Sequence, residues 1–255
     1  MPFLSRLWHV IWILRVGLEA ILLMILVRRR FYEQFPVFSL FTAWAVIQGA
    51  TLLAMDRGAS GESYYQTYLV GAVGGAILSF GVVYELYRRI LRDYPLLSAV
   101  GNSLYRWAVL LLVATGLLLA WAAPAAGEGK LIATFYILQR TARLLQCGLL
   151  VFLFVFARSF NLSWRDRAFG IALGFGITAT VSLANATIRS QIETISPTQS
   201  KDILNLISQV SDAVAAGIWI AYALARKGAG RASPGPPLPR HDLESWNQEL
   251  RRLLP

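Results

Sequence analysis

Seven long apolar runs, at approximately 7–27, 36–55, 66–86, 104–123, 131–157, 168–188 and 204–225, succeed one another along the 255-residue chain. As an α-helix, about 20 residues cover the roughly 30 Å of a bilayer's hydrocarbon core. Inside hydrocarbon every backbone N–H and C=O must find its partner within the protein, which leaves helices or closed barrels. The runs are continuous rather than alternating, so a barrel is excluded. Only 15% of the residues are charged, whereas soluble domains run nearer a quarter. The predicted fold class is therefore all-α: a polytopic membrane protein, a seven-transmembrane-helix bundle.

The formal charge of +10 invites a nucleic-acid reading, but its distribution argues against one. Arg28, Arg29 and Arg30 follow the first run, Arg88, Arg89 and Arg92 the third, Arg158, Arg165 and Arg167 the fifth, and Arg226 and Lys227 the last. On the other side Arg6, Arg57, Lys130, Arg189 and Lys201 are scattered among Asp56, Glu62, Glu128, Glu193 and Asp202. Basic loops stay in the cytoplasm, so the pattern predicts an outside N-terminus and a cytoplasmic C-terminus in a multi-pass cell (cytoplasmic) membrane protein. The partner it implies is the lipid bilayer, with no nucleic acid. The first run lacks a small-x-small cleavage site and ends in arginines, so no cleavable signal peptide is expected. Cys147, the single cysteine, excludes an intrachain disulfide and any cysteine metal cluster.

Short connections predict that helices adjacent in sequence pack as antiparallel neighbours. Pro36 and Pro95 stand where the second and fourth helices begin, where a missing N–H costs nothing. None of the ten prolines interrupts a run, so straight helices are expected. Gly71, Gly75 and Ser79, and Gly170, Gly174, Thr178 and Ser182, recur every four residues, the spacing that lets helices approach closely. Three parts are expected: a bundle over 1–227, a Gly/Pro-rich linker over 228–241 ("GAGRASPGPPLPRH"), and a cytoplasmic amphipathic helix over 242–255. In that last part Leu243, Trp246, Leu250 and Leu253 recur at helical spacing. Residues 242–254 could bind a cytoplasmic protein partner, lie on the bilayer or dock under the bundle.

The stretch "LQRTARLLQCGLLVFLFVF" sets Gln139, Arg140, Arg143 and Gln146 into an otherwise apolar helix. Counting about 1.5 Å per residue places Arg15 about 12 Å, Arg143 about 8 Å and Asp212 about 9 Å below the outer surface. Gln48, Gln146 and Thr180 come out near 10–12 Å on the same count. Glu19 lies one turn from Arg15, and Ser208 one turn from Asp212. A charge facing lipid is expensive, so these groups should turn inward and meet. The expected arrangement is one Arg15–Glu19–Arg143–Asp212 network, in which loss of Arg143 strands Asp212. Arg140 is expected to snorkel outward. Arg15, Arg140 and Arg143 against Glu19 and Asp212 leave one positive charge over, which suits a small anion or a carboxylate ligand from outside. Trp44 and Trp219, near mid-membrane, are expected as its floor. Glu85 is expected to pair with Arg88 or Arg89.

Lys130, Lys201 and Lys227 all lie at the edges of runs, which excludes a retinal Schiff base. His9 and His241, the only two histidines, do not support bis-histidine haem, histidine-held zinc or a Ser–His nucleophile. No phosphate-cradling glycine loop occurs. The sequence therefore reads as a non-enzymatic protein without cofactors. The function expected first is receptor-like or sensory, with a polar, net-positive pocket in the outer half. A structural or accessory subunit whose polar layer only specifies packing comes second, and a small-solute transporter or channel third. A homo-oligomer is compatible with each.

Overall fold

The computed structural model describes residues 2–56, 61–90, 95–122, 128–159, 167–192 and 199–225. The linker and tail expected over 228–255 lie outside the described residues. Seven α-helices form: α1 (Pro2–Arg28), α2 (Pro36–Met55), α3 (Gly61–Ile90), α4 (Pro95–Ala122), α5 (Glu128–Ser159), α6 (Arg167–Ile192) and α7 (Gln199–Leu224). A 3₁₀ turn, Phe31–Glu33, joins α1 to α2. All seven helices contain a segment long and apolar enough to cross a membrane. The chain is a polytopic integral membrane protein. Most helices outrun their apolar runs, because helical hydrogen bonding continues into the polar flanks that a hydropathy reading leaves out.

Six helices form a ring in the order α1, α2, α3, α5, α6, α7, with α7 returning against α1. The fourth, α4, sits outside that ring and, among the described residues, touches α3 and α5 alone. Its contact face is small and tyrosine-anchored: Ala108 is buried and the Tyr105 hydroxyl donates to the Phe80 carbonyl at 3.3 Å. The rest of it, including Leu104, Trp107, Leu111 and Leu118, is exposed to the surroundings of the bundle.

Polar contacts tie the helices together, and on the α1–α7 seam two of them also fix direction. Arg15 to Gln209 and Arg29 to Ala223 each span 194 positions, so α1 and α7 run parallel in constant register over 14 residues, about 21 Å. Tyr87, whose hydroxyl donates to the Leu149 carbonyl, ties α3 to the likewise parallel α5. Asn185 on α6 donates to the Leu204 carbonyl at 2.9 Å and to Ser208 at 2.6 Å, holding the antiparallel α6–α7 pair.

Aromatic side chains fill the ring's interior. Trp219 of α7 lies 5.3 Å from Phe38 and 5.2 Å from Phe175, and Phe41 lies 5.0 Å from Phe175, so α2, α6 and α7 meet through rings. The glycines make room for such groups. A Cβ at Gly174 would overlap the Trp219 indole, one at Gly170 the Tyr222 ring, and one at Gly74 the Trp44 indole. Both indoles then donate to backbone carbonyls of the glycine-bearing helix: Trp44 Nε1 to Gly71 at 3.0 Å and Trp219 Nε1 to Ile171 at 3.2 Å. The spaced small residues therefore act as seats for large side chains. Gly75 of the expected stripe is not one of these seats; Gly74 is.

At the arginine-rich end, Arg30 adopts φ 52°, ψ 37° and turns the chain out of α1, a left-handed conformation unusual for a non-glycine residue. Phe31 and Phe35 are buried behind it, with the Arg167 guanidinium 4.5 Å from the Phe31 ring and Arg89 4.3 Å from Phe35. Glu85 accepts the backbone N–H groups of Val37 at 3.2 Å and Phe38 at 3.0 Å, the first free donors of α2. Of the expected pairing with Arg88 or Arg89, Glu85 keeps an electrostatic attraction to Arg89, while its direct bonds go to this cap, since a helix N-terminus offers a carboxylate both donors and a positive dipole end. Arg89 donates instead to the Gln34 carbonyl, and Arg29 to the last carbonyls of α7 at Ala223 and Leu224.

Gly174→Ala is expected to destabilise the bundle by about 1–3 kcal/mol, because the Trp219 indole is held by its hydrogen bond and has nowhere to move. Gly71→Ala meets the half-buried Gln48 side chain, which can swing aside, and is expected to cost less than Gly174→Ala. Unfolding of the two variants in matched micelles checks the contrast.

Candidate functional site

Arg15 and Glu19 stand four residues apart on α1 and so share a face. Arg15 Nε donates to Glu19 Oε1 at 3.0 Å, and its Nη1 lies 3.1 Å from Gln209 Oε1 and 3.3 Å from Asp212 Oδ2 on α7. One guanidinium thus holds three acceptors from two helices, using the planar fork that lysine lacks. Glu19 is buried, while Arg15 and Asp212 are part-exposed, with side chains 24% and 34% accessible.

Arg143 does not join this group. Its Nη1 donates to Gln146 Oε1 at 3.3 Å on its own helix, and Gln146 Nε2 donates to Ser79 Oγ on α3 at 2.6 Å. Gln146 and Ser79 are buried, and Arg140 is exposed. The single expected network therefore divides into an ionic group on the α1–α7 seam and an amide–hydroxyl chain between α3 and α5. Depth along a helix carries no information about azimuth, and α5 turns Gln146 toward α3. The division reverses the charge balance. The ionic group contains one guanidinium and two carboxylates, so it has a surplus of one negative charge rather than one positive.

The remaining expected residues also go to separate places. Thr180 is exposed and donates to the Gly176 carbonyl at 2.7 Å. Ser208 belongs to the Asn185 contact on α6. Trp219 is in the aromatic interior and Trp44 beside α3, so they do not form a common floor. Trp44 and Gln48, with Thr51, Gln66, Thr67 and Gly71, line a cleft of about 370 Å³ between α2 and α3. Neither Arg143 nor Asp212 lines it, and its polar groups are neutral.

Sequence reasoning missed Gln209, Asn185 and the pairing role of Ser79. Gln209 stands three residues before Asp212, which already placed it on the right face. Asn185 is a lone amide in an apolar helix, a signal that hydropathy averages away. Ser79 was visible only as a small residue in a stripe. Among the described residues, no group of histidine, cysteine or carboxylate side chains is arranged to hold a metal.

Comparison of the chain with protein-family profiles, with curated proteins and with solved structures gave no match.

Arg15→Leu leaves Glu19 and Asp212 without their shared cation and is expected to cost roughly 3 kcal/mol, the low end for breaking a buried ion pair. Arg143→Leu removes one long hydrogen bond while Gln146 keeps Ser79, and is expected to cost about 1 kcal/mol. Thermal unfolding in one detergent ranks the two, and Arg15→Leu should fall first.

Proposed function

We propose that this integral membrane protein is a non-enzymatic structural or accessory subunit of a membrane complex, set in the cell membrane with its arginine-rich ends toward the cytoplasm. The observation that carries this reading is where the polar side chains direct their bonds. Arg15, Gln146, Asn185 and Glu85 each tie one helix to another, and none of the four lines the cleft between α2 and α3. Intramembrane polar groups used in this way select register and neighbours rather than bind solute. The peripheral α4, with its largely unburied apolar face, supplies area for contact with another subunit or with lipid.

A receptor-like role is the second reading, and the α2–α3 cleft is the observation in its favour. Its amide, hydroxyl and indole lining suits a neutral amphiphile better than the anion expected of a guanidinium-rich pocket. A transporter is the least supported, because Glu85, the acidic group near the arginine-rich end of α3, is used as the α2 cap.

Native mass spectrometry of protein extracted from its own membrane in mild detergent tests the choice. The subunit reading predicts a protein assembly of fixed stoichiometry with no retained small molecule. A monomer carrying a small organic ligand would contradict it and favour the receptor.

A further inference from the structure

The charge surplus on the α1–α7 seam and one buried oxygen point to the same conclusion. Glu19 is 6% exposed; its Oε1 receives Arg15 Nε, while its Oε2 has no hydrogen-bond partner. Arg15 directs Nε to Oε1 and Nη1 to Gln209 and Asp212, and none of its donors reaches Oε2. An ionised oxygen buried without a donor is among the costlier arrangements a protein interior can hold, and a neutral hydroxyl in its place costs far less. Among the described residues, no cation other than Arg15 forms an ion pair with Glu19 or Asp212. Residues 36–55 of α2 contain no ionisable group, and α6 has only Arg167 and Arg189, at its two ends. Tyr68 of α3 lies within electrostatic range of Arg15 and is neutral in its usual form. His9, further up α1, is engaged by Asp56 at 3.1 Å.

We propose that the seam between α1 and α7 is a single-proton site, in which Glu19 Oε2 carries the hydrogen and the group Arg15–Glu19–Asp212 is neutral. Asp212 is the more exposed of the two carboxylates. When the proton leaves, Glu19 becomes an anion and the seam holds two carboxylates against one guanidinium, so α1 and α7 lose cohesion. The consequence is a proton-dependent closure of the helix ring, whatever complex the subunit belongs to.

Infrared spectroscopy of the full chain in lipid vesicles tests this directly. At neutral pH the protein should show a protonated carboxylic acid C=O band that shifts when the chain is labelled with ¹³C-glutamate and disappears in Glu19→Gln. Asp212→Asn provides the second variant. It removes the surplus negative charge, so Glu19 should ionise against Arg15 and the band should vanish there too. The proposal is overturned by the absence of such a band at neutral pH, by a band that survives Glu19→Gln or does not follow the glutamate label, or by one that persists in Asp212→Asn.

Discussion

An odd number of membrane crossings leaves the first and last helices running in the same direction, and the arrangement of this protein depends on how that is handled. Neighbouring antiparallel helices are held by their short connections, but α1 and α7 are parallel and the whole chain separates them. Only side chains can set their register. Arg15 and Arg29 do so from the two ends of the seam, Arg15 on the acceptors of Glu19, Gln209 and Asp212 and Arg29 on the terminal carbonyls of α7. The equal offset of 194 positions at both anchors is what a straight, unslipped parallel pair requires. The other parallel contact, α3 with α5, is likewise fixed by buried polar groups: Tyr87 on Leu149 and Gln146 on Ser79.

Antiparallel pairs are joined differently. Trp44 rests on Gly71 and Gly74, Trp219 on Gly174, and in each case the indole N–H completes a hydrogen bond to the helix beneath. Hydrocarbon provides no hydrophobic drive between helices, so fit and buried hydrogen bonds carry the association. A tryptophan over glycine supplies both at one position. Both parallel pairs rely on polar anchors, whereas the antiparallel α2–α3 and α6–α7 pairs combine an aromatic seat with a polar contact of their own, from Glu85 and from Asn185.

The fold was legible in the sequence because spanning length is a one-dimensional property. The seven apolar runs, the proline at the start of α2 and the antiparallel neighbours all follow from counting residues along the chain. The site was legible in part. Arg15, Glu19 and Asp212 were recognisable because an ionisable group in an apolar run must have a partner, and their levels agree. Arg143 was misplaced because level does not determine which way α5 faces, and the sign of the pocket was misread with it. Glu85 was misread for another reason. A nearby arginine in sequence is an obvious partner, whereas the free N–H groups of α2 become available only once α2 and α3 are side by side. The exclusion of α4 from the ring left no mark that periodicity could show, since its outward and inward faces are both apolar.

Arg15 holds the end of the parallel α1–α7 seam that lies away from the arginine-rich turns, and the register of the seam depends on it. That dependence is tested most directly by spin labels at Ile13 and Ile207, two exposed positions that keep the same offset of 194. Cys147→Ser gives a background free of other cysteines. The account predicts closely spaced labels with a narrow distance distribution, which broadens and lengthens when Arg15→Gln is added. Labels far apart in the starting protein, or a distribution that Arg15→Gln leaves unchanged, would contradict it.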